Sequence, residues 1–286
     1  MKKLLPISIM KMSGAGNTFA LIDAREKSDW RDVENSLGKS RAEFAKLVCD
    51  HVLGLSTDGF LLIENGSEGF DYDWDFYNSD GSTAEMCGNA ARCAARFCYE
   101  YLGSSENKAC LKFKTGAGLV TAQILGDDEV RVQMPEARFV KESIELKTKS
   151  KGVQKFALVN TGVPHLVQKI SNLAEATTLK EMAREVRSHA DLKPAGANVT
   201  FYAEDSKGHI NAVTFERGVE DYTLACGTGA VAAALVYSQL SSEKQIKVQM
   251  PGGLLSVVFD GKDTHPLMTG GAVFVGEFKY NLEVVG

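Results

Sequence analysis

Cysteine is scarce, with six residues in 286, so the chain is not a small scaffold stapled by disulfides. Positive charge is also short. Lys and Arg total 32 against 37 Asp and Glu, for a net charge of −5, which leaves no basic footprint for nucleic acid. No run approaches the roughly 20 apolar residues of a membrane helix. The opening MKKLLPISIMKM is broken by Pro6 and Lys11. It lacks the long apolar region and small-residue cleavage site of a secretory signal, and reads as a first strand. A cytoplasmic, reducing location with free thiols is the expectation. No low-complexity or Pro-rich linker interrupts the chain, so its parts are expected to pack tightly. Hydrophobic residues at 44% and charged residues at 24% match a soluble globular protein.

What is present is a repeat. SGAGNTF from Ser13 resembles TGVPHLV from Thr161, an offset of 148. TDGFLLIE from Thr57 resembles ANVTFYAE from Ala197, an offset of 140. FYNSDGSTAEMCGNAA from Phe76 resembles FERGVEDYTLACGTGA from Phe215, an offset of 139, and LKFKTGAGLVTAQI from Leu111 resembles IKVQMPGGLLSVVF from Ile246, an offset of 135. Matches in one order with slowly drifting offsets point to two copies of one unit. The expected division is 1–125 carrying Cys87 and 126–272 carrying Cys226, with the strand-like tail 273–286 returning to the first copy.

FDYDWDFY alternates apolar residues (Phe70, Tyr72, Trp74, Phe76) with Asp71, Asp73 and Asp75, which is a half-buried strand. Its aspartates do not make a calcium loop, because Phe76 and Ser82 stand where an EF-hand needs Gly and Glu. GTGAVAAALVYSQL (227–240) has no charge, and GNAARCAARFCYEYL (88–102) has one narrow polar stripe of Arg92, Arg96 and Glu100. Such runs predict buried helices. Thr177–Arg187 predicts an amphipathic surface helix with Leu179, Met182 and Val186 inward. Gly103–Lys108 and Gly126–Glu129 predict turns. The fold class is therefore α/β (α+β): two homologous domains related by a pseudo-twofold axis, each a mostly antiparallel sheet or barrel around a central Ala-rich helix.

Cys87 and Cys226 each precede a glycine at the start of one of these helices. Helix-starting N–H groups lack intrahelical partners, carry partial positive charge and suit a carboxylate. A thiol there is expected to have its pKa lowered. Pseudo-symmetry would set the two thiols on opposite walls of one cleft. A carbon between them could lose a proton to one and regain it from the other on the opposite face, inverting a stereocentre. Cys49, Cys93, Cys98 and Cys110 read as packing, and the spacings of Cys87, Cys93 and Cys98 fit no zinc site. No metal is expected. Gly14-Ala15-Gly16 is not a dinucleotide loop, since Phe19 replaces the third glycine. A pyridoxal phosphate lysine leaves no short signature, so the sequence leaves that cofactor open; the paired thiols make it unnecessary, and no cofactor is expected.

Together, KMSGAGNTFALID, FYNSDGSTAEMCGNAARCAARF, NTGVPHLV, GANVTFY and ERGVEDYTLACGTGA resemble the diaminopimelate epimerases, over nearly the whole chain. The resemblance implies a cofactor-independent enzyme that converts LL-2,6-diaminoheptanedioate to the meso form in lysine and cell-wall precursor synthesis. It implies Cys87 and Cys226 as the acid/base thiols. Gly88, Asn89, Gly227 and Thr228 would supply the backbone cradle for the reacting carboxylate. His165 and Glu216 would lie beside the reacting centre, and Asn17, Asn78, Asn198 and Arg217 would read the distal one. Arg offers a planar fork for a second carboxylate; Asn78 within Asn-Ser-Asp-Gly is also turn chemistry. Two departures stand out: Val163 where many members have Asn before Pro-His, and Gly59 where some have Gln. A proline or histidine racemase on the same scaffold is the alternative, though proline racemases tend to have His where this chain has Asn89. A non-catalytic carboxylate-binding protein would not need the thiols. The implied partner is a small diamino dicarboxylic acid, with no nucleic acid and no membrane; a homodimer is left open.

Overall fold

The architecture is taken from a computed structural model, which describes all residues except 1–2, 27–29, 32, 36–37, 84, 104–108, 206–208, 242, 261–263 and 285–286. The chain divides into two compact units, Met1–Val132 with Gly271–Gly286, and Gln133–Gly270.

Alternating apolar and polar residues generate most of the strands of the first unit. They are β1 (Lys3–Gly14), β2 (Asn17–Asp23), β3 (Gly59–Asn65), β4 (Tyr72–Asn78), β5 (Cys110–Thr115), β6 (Gly118–Ile124), β7 (Glu129–Gln133) and β16 (Val273–Val284). The order is β16-β1-β2-β3-β4-β5-β6-β7. Parallel pairing occurs at β2/β3 and β4/β5, and the other neighbours are antiparallel. In β4, Tyr72, Trp74 and Phe76 are buried while Asp73 and Asp75 are half-buried. Each aspartate of that run is engaged by protein donors: Asp71 by the Lys112 N–H, Asp73 by Ser67, Asp75 by Arg41 and the Tyr77 hydroxyl.

Helix α1 (Arg41–Cys49) starts on a capping box between Ser40 and Glu43 and buries Phe44 and Val48 under β3. Helix α2 (Gly88–Arg96) passes into a single π-helical turn, Phe97–Tyr101. Residues Gly88–Ala95 are all buried, and the helix packs on β1, β2, β3 and β6. Arg92 departs from the expected polar stripe. Arg96 and Glu100 do pair near the surface, but Arg92 is 0% exposed. The reason is the sheet wrapped around this helix, which leaves its second turn no solvent face.

The second unit repeats the plan. Its strands are β8 (Arg138–Thr148), β9 (Gly152–Asn160), β10 (Pro164–Lys169), β11 (Asn198–Glu204), β12 (Ile210–Phe215), β13 (Gln245–Met250), β14 (Gly253–Val258) and β15 (Leu267–Gly271), in that order across the sheet. The parallel pairs are β10/β11 and β12/β13, the counterparts of β2/β3 and β4/β5. The two units share strand order and the position of each parallel pair, with β8 standing where β16 stands in the first.

Helix α4 (Gly227–Ser238) is the counterpart of α2 and packs against β9 to β14. Its small residues permit the close approach: a Cβ on Gly229 would sit 2.1 Å from Thr214 Oγ1 on β12. The expected amphipathic helix is a 3₁₀ turn, Leu173–Leu179, followed by α3 (Lys180–Arg187), with Met182 and Val186 buried. Residues 126–128 form a bend, and most of the expected turn at 103–108 lies outside the described residues. Among the described residues, no helix is long and apolar enough to cross a membrane.

Candidate active site

Cys87 and Cys226 are the N-cap residues of α2 and α4, both with extended backbone. The local cause is the same in each unit. A strand ends, a tight turn follows, and Cys-Gly opens an Ala-rich run that is helical by propensity and buried by composition. The first-turn N–H groups of each helix point at the N-cap end, which is where Gly88 and Asn89 stand in one unit and Gly227 and Thr228 in the other. All six cysteines carry thiols rather than disulfides.

The surroundings of the two thiols differ. In the second unit, Cys226 is 6% exposed. Its sulfur accepts from the Gly229 N–H at 3.4 Å and lies 3.4 Å from Thr228 Oγ1. It also donates to the Glu216 carboxylate. Burial, reinforced by the negative charge of Glu216, pushes this thiol far above its ordinary pKa. That reverses the lowering expected from the helix terminus alone, because the partial charges of a few N–H groups do not offset desolvation beside a carboxylate. Glu216 is itself raised by burial, against the bond it accepts from the Thr223 hydroxyl.

His165 on β10 is fully buried and pairs in register with Asn198 on β11. Its Nδ1 is 3.0 Å from Thr200 Oγ1, and its Nε2 is 3.0 Å from Thr228 Oγ1 and 3.4 Å from Asn198 Nδ2. The proton positions follow from the fixed donors. The backbone N–H of Arg217 donates to Asn198 Oδ1 at 2.9 Å, so the amide nitrogen of Asn198 is the end that faces His165. A nitrogen with only hydrogens to offer makes Nε2 an acceptor. Nδ1 therefore carries the ring proton and donates to Thr200, whose hydroxyl reaches Thr214 Oγ1 at 3.0 Å. Thr228 in turn donates to Nε2, and its hydroxyl oxygen lies 3.4 Å from the Cys226 sulfur, whose single proton is shared between this oxygen and Glu216. Burial, with Arg217 nearby, lowers His165 to a pKa of about 3, so the ring is neutral.

In the first unit Asn89 Nδ2 donates to Asn17 Oδ1 at 2.6 Å. Asn17 and Asn89 are the repeat partners of His165 and Thr228, so both units make the same contact with different chemistry. The chain continues to Arg92, whose guanidinium donates to Asn89 Oδ1 at 2.8 Å, to Gly88 O at 3.4 Å and to Gly271 O at 3.2 Å. Cys87 is half-buried.

Of the residues expected at the distal end, Asn198 is buried, whereas Asn78 and Arg217 are less enclosed. Asn78 closes β4 and bonds Ser82 Oγ at 3.0 Å within its turn. Arg217 is exposed, with one guanidinium nitrogen on Ala195 O at 2.8 Å. Asn198 spends its oxygen on the Arg217 backbone, so it holds Arg217 as well as His165. Gly59 lies under aromatic rings: a Cβ there would be 2.7 Å from Phe76 and 3.2 Å from Phe19. A glutamine at this position requires Phe76 to move, so the departure at Gly59 is matched to the packing of this unit. Of the packing cysteines, Cys49, Cys93 and Cys98 are buried and raised by burial, whereas Cys110 is exposed at the start of β5.

Sequence reasoning missed Arg92, Thr200, Thr214 and Thr223. Arg92 had one signal: it is a charge in the second turn of an Ala-rich helix, where the repeat has Val231. The threonines had none, because threonines in strands, as Thr200 and Thr214, and in loops, as Thr223, are ordinary.

A family model described as diaminopimelate epimerase matches residues 9–140 and 157–275. The diaminopimelate epimerase of Aquifex aeolicus is 36% identical over 283 residues, covering 96% of this chain and 98% of that protein. That of Campylobacter jejuni subsp. jejuni serotype O:2 is 34% identical over 272 residues, covering 95% and 98%. Among solved structures, a probable proline racemase from Agrobacterium radiobacter aligns with a TM-score of 0.71 at 16% identity, covering 95% of this chain and 92% of that one. A PhzF-family phenazine biosynthesis protein from Bacillus anthracis aligns at 0.69 and 16%, covering 96% and 99%. At that identity the structural likeness speaks for the fold.

Proposed function

The chain belongs to the diaminopimelate epimerase family, and from that membership we propose that it interconverts LL- and meso-2,6-diaminopimelate by proton transfer at the α-carbon. The observation that carries the chemistry is the cysteine N-capping a buried helix in each unit. One thiolate takes the α-proton. The electron pair left on carbon delocalises into the adjoining carboxylate, whose added negative charge is held by first-turn N–H groups of Gly88, Asn89, Gly227 and Thr228. The other thiol gives its proton to the opposite face of the carbon. One C–H bond breaks and one forms, one S–H bond forms and one breaks, and no net redox change occurs.

His165 stays neutral in this scheme and acts through Thr228, which it orients toward Cys226. Glu216 accepts from the Cys226 thiol and favours its protonated form. Arg217, held by Asn198, offers a guanidinium to the carboxylate of the non-reacting centre, and Asn17 and Asn78 complete that end. The class of substrate follows from this donor set: an amino acid with a second carboxylate at the far end.

The test is incubation of the purified chain with LL-diaminopimelate in deuterated water. Deuterium should enter the α-position of the meso product, and proline should take up none. Cys87→Ala or Cys226→Ala should each cost 10²–10⁴-fold or more in kcat, the scale of a lost general acid or base. Full activity without either sulfur would end the proposal.

A further inference from the structure

Arg92 is the buried charge that the reaction scheme leaves unused. It stands in the second turn of α2, and because helical side chains lean toward the N-terminus, its guanidinium returns to the first turn beside Gly88 and Asn89. Every acceptor it has is neutral: Gly271 O, Gly88 O and Asn89 Oδ1. A cation at this end of a helix opposes the macrodipole, and a guanidinium with no exposed surface has lost its hydration as well. Both costs are relieved by an anion placed close by. The repeat removes the alternative that such a residue is a general need of the fold, because Val231 fills the same helical position in α4. The opposite substitution occurs at the strand end: Glu216 beside Cys226 has Tyr77 as its repeat partner. A buried cation thus stands at the first turn that Cys87 caps, and a carboxylate stands beside Cys226.

We propose that Arg92 is a positioning residue that holds Cys87 as the thiolate of the resting enzyme, leaving Cys226 as the resting thiol. This rests on the reading above that these two thiols carry the proton. Among the described residues, the titratable groups that act on the guanidinium are Cys87 and Cys93. Cys93 is buried and pushed up to about 12, so it is neutral. Arg96 is committed to Glu100 and Ala272 O. On the strands packed against α2, Lys11 donates to Leu55 O, Asp23 pairs with Arg25 and Glu64 with Arg41. Of the two thiols that act on the guanidinium, Cys87, which caps the turn it returns to, is the one able to answer the charge.

The test reads the thiol directly and needs no substrate. Iodoacetamide, which is uncharged, is used to alkylate Cys87 across a pH range in the Cys226→Ala chain, with the modified peptide quantified by mass spectrometry to separate it from exposed Cys110. The midpoint should lie below about 7, against about 8.5 for a free thiol. Arg92→Met should raise it by about two pH units, roughly a hundredfold less thiolate at neutral pH. Arg92→Lys should restore most of the shift, which a purely packing role would not do. A midpoint near 8.5 with Arg92 intact, an unchanged midpoint in a folded Arg92→Met chain, or equal shifts for Met and Lys would each overturn the proposal. If Arg92→Met does not fold, the unsubstituted midpoint and that of Arg92→Lys decide. A low Cys87 midpoint in a chain that washes no deuterium into diaminopimelate would fault the assigned reaction and leave the role of Arg92 standing.

Discussion

His165 is a buried imidazole whose pKa falls from 6.5 to about 3, and that shift has a stability consequence. Between those values the unfolded chain binds a proton that the folded chain refuses. Stability therefore falls as pH drops below 6.5, by about 1.4 kcal/mol per pH unit for this one group. His165→Gln removes the term while keeping an acceptor near Thr228. Unfolding free energies from urea titrations at pH 6.5 and 5 should differ by about 1.6 kcal/mol less in the variant than in the unsubstituted chain. Equal slopes would mean that the ring is solvated or already charged. The same neutrality predicts that no ionisation of His165 appears in the pH–rate profile near 6.5.

Helix α4 shows how an element can be specified by what it omits. It carries no charge, and its residue 229 has no side chain. A methyl group there would lie 2.1 Å from Thr214 Oγ1 and 3.2 Å from Thr200 Oγ1, the two hydroxyls that end the chain from His165. Gly229→Ala should therefore cost about 1–3 kcal/mol as overpacking, read by chemical denaturation, and should also lower kcat by displacing Thr200 from Nδ1. The repeat partner in α2 is Ala90, so a methyl group is acceptable to the helix itself. What forbids it in α4 is the neighbouring strand. A Gly229→Ala chain with unchanged stability and kcat would show that the hydroxyl chain is not needed.

For the whole molecule the net charge of −5 would oppose an anionic ligand, but diaminopimelate at neutral pH carries two ammonium and two carboxylate groups and is neutral overall. The global field then does little to it, and recognition falls to groups within a few ångströms. The KM should change by less than about twofold between 20 and 200 mM salt, since screening acts mainly on long-range charge. A steep salt dependence would point to steering by the protein's field and to a charged substrate.

The sequence alone determined the repeat, the strands and the place of both cysteines. Those depend on local order: periodic apolar residues make a strand, and Cys-Gly before an uncharged Ala-rich run makes a helix start in any surroundings. The tertiary structure decided the charges. Arg92 belonged by spacing to a polar stripe with Arg96 and Glu100, yet the enclosing sheet buries it. Cys226, at a helix terminus that by itself lowers a thiol's pKa, is raised because burial and Glu216 outweigh the N–H groups. Asn198 holds the Arg217 backbone and His165 at once, which no spacing could reveal. The physical reason is the same in each case. The energy of a charge or a hydrogen bond depends on desolvation and on partners brought from distant parts of the chain, and those are known only once the chain has folded.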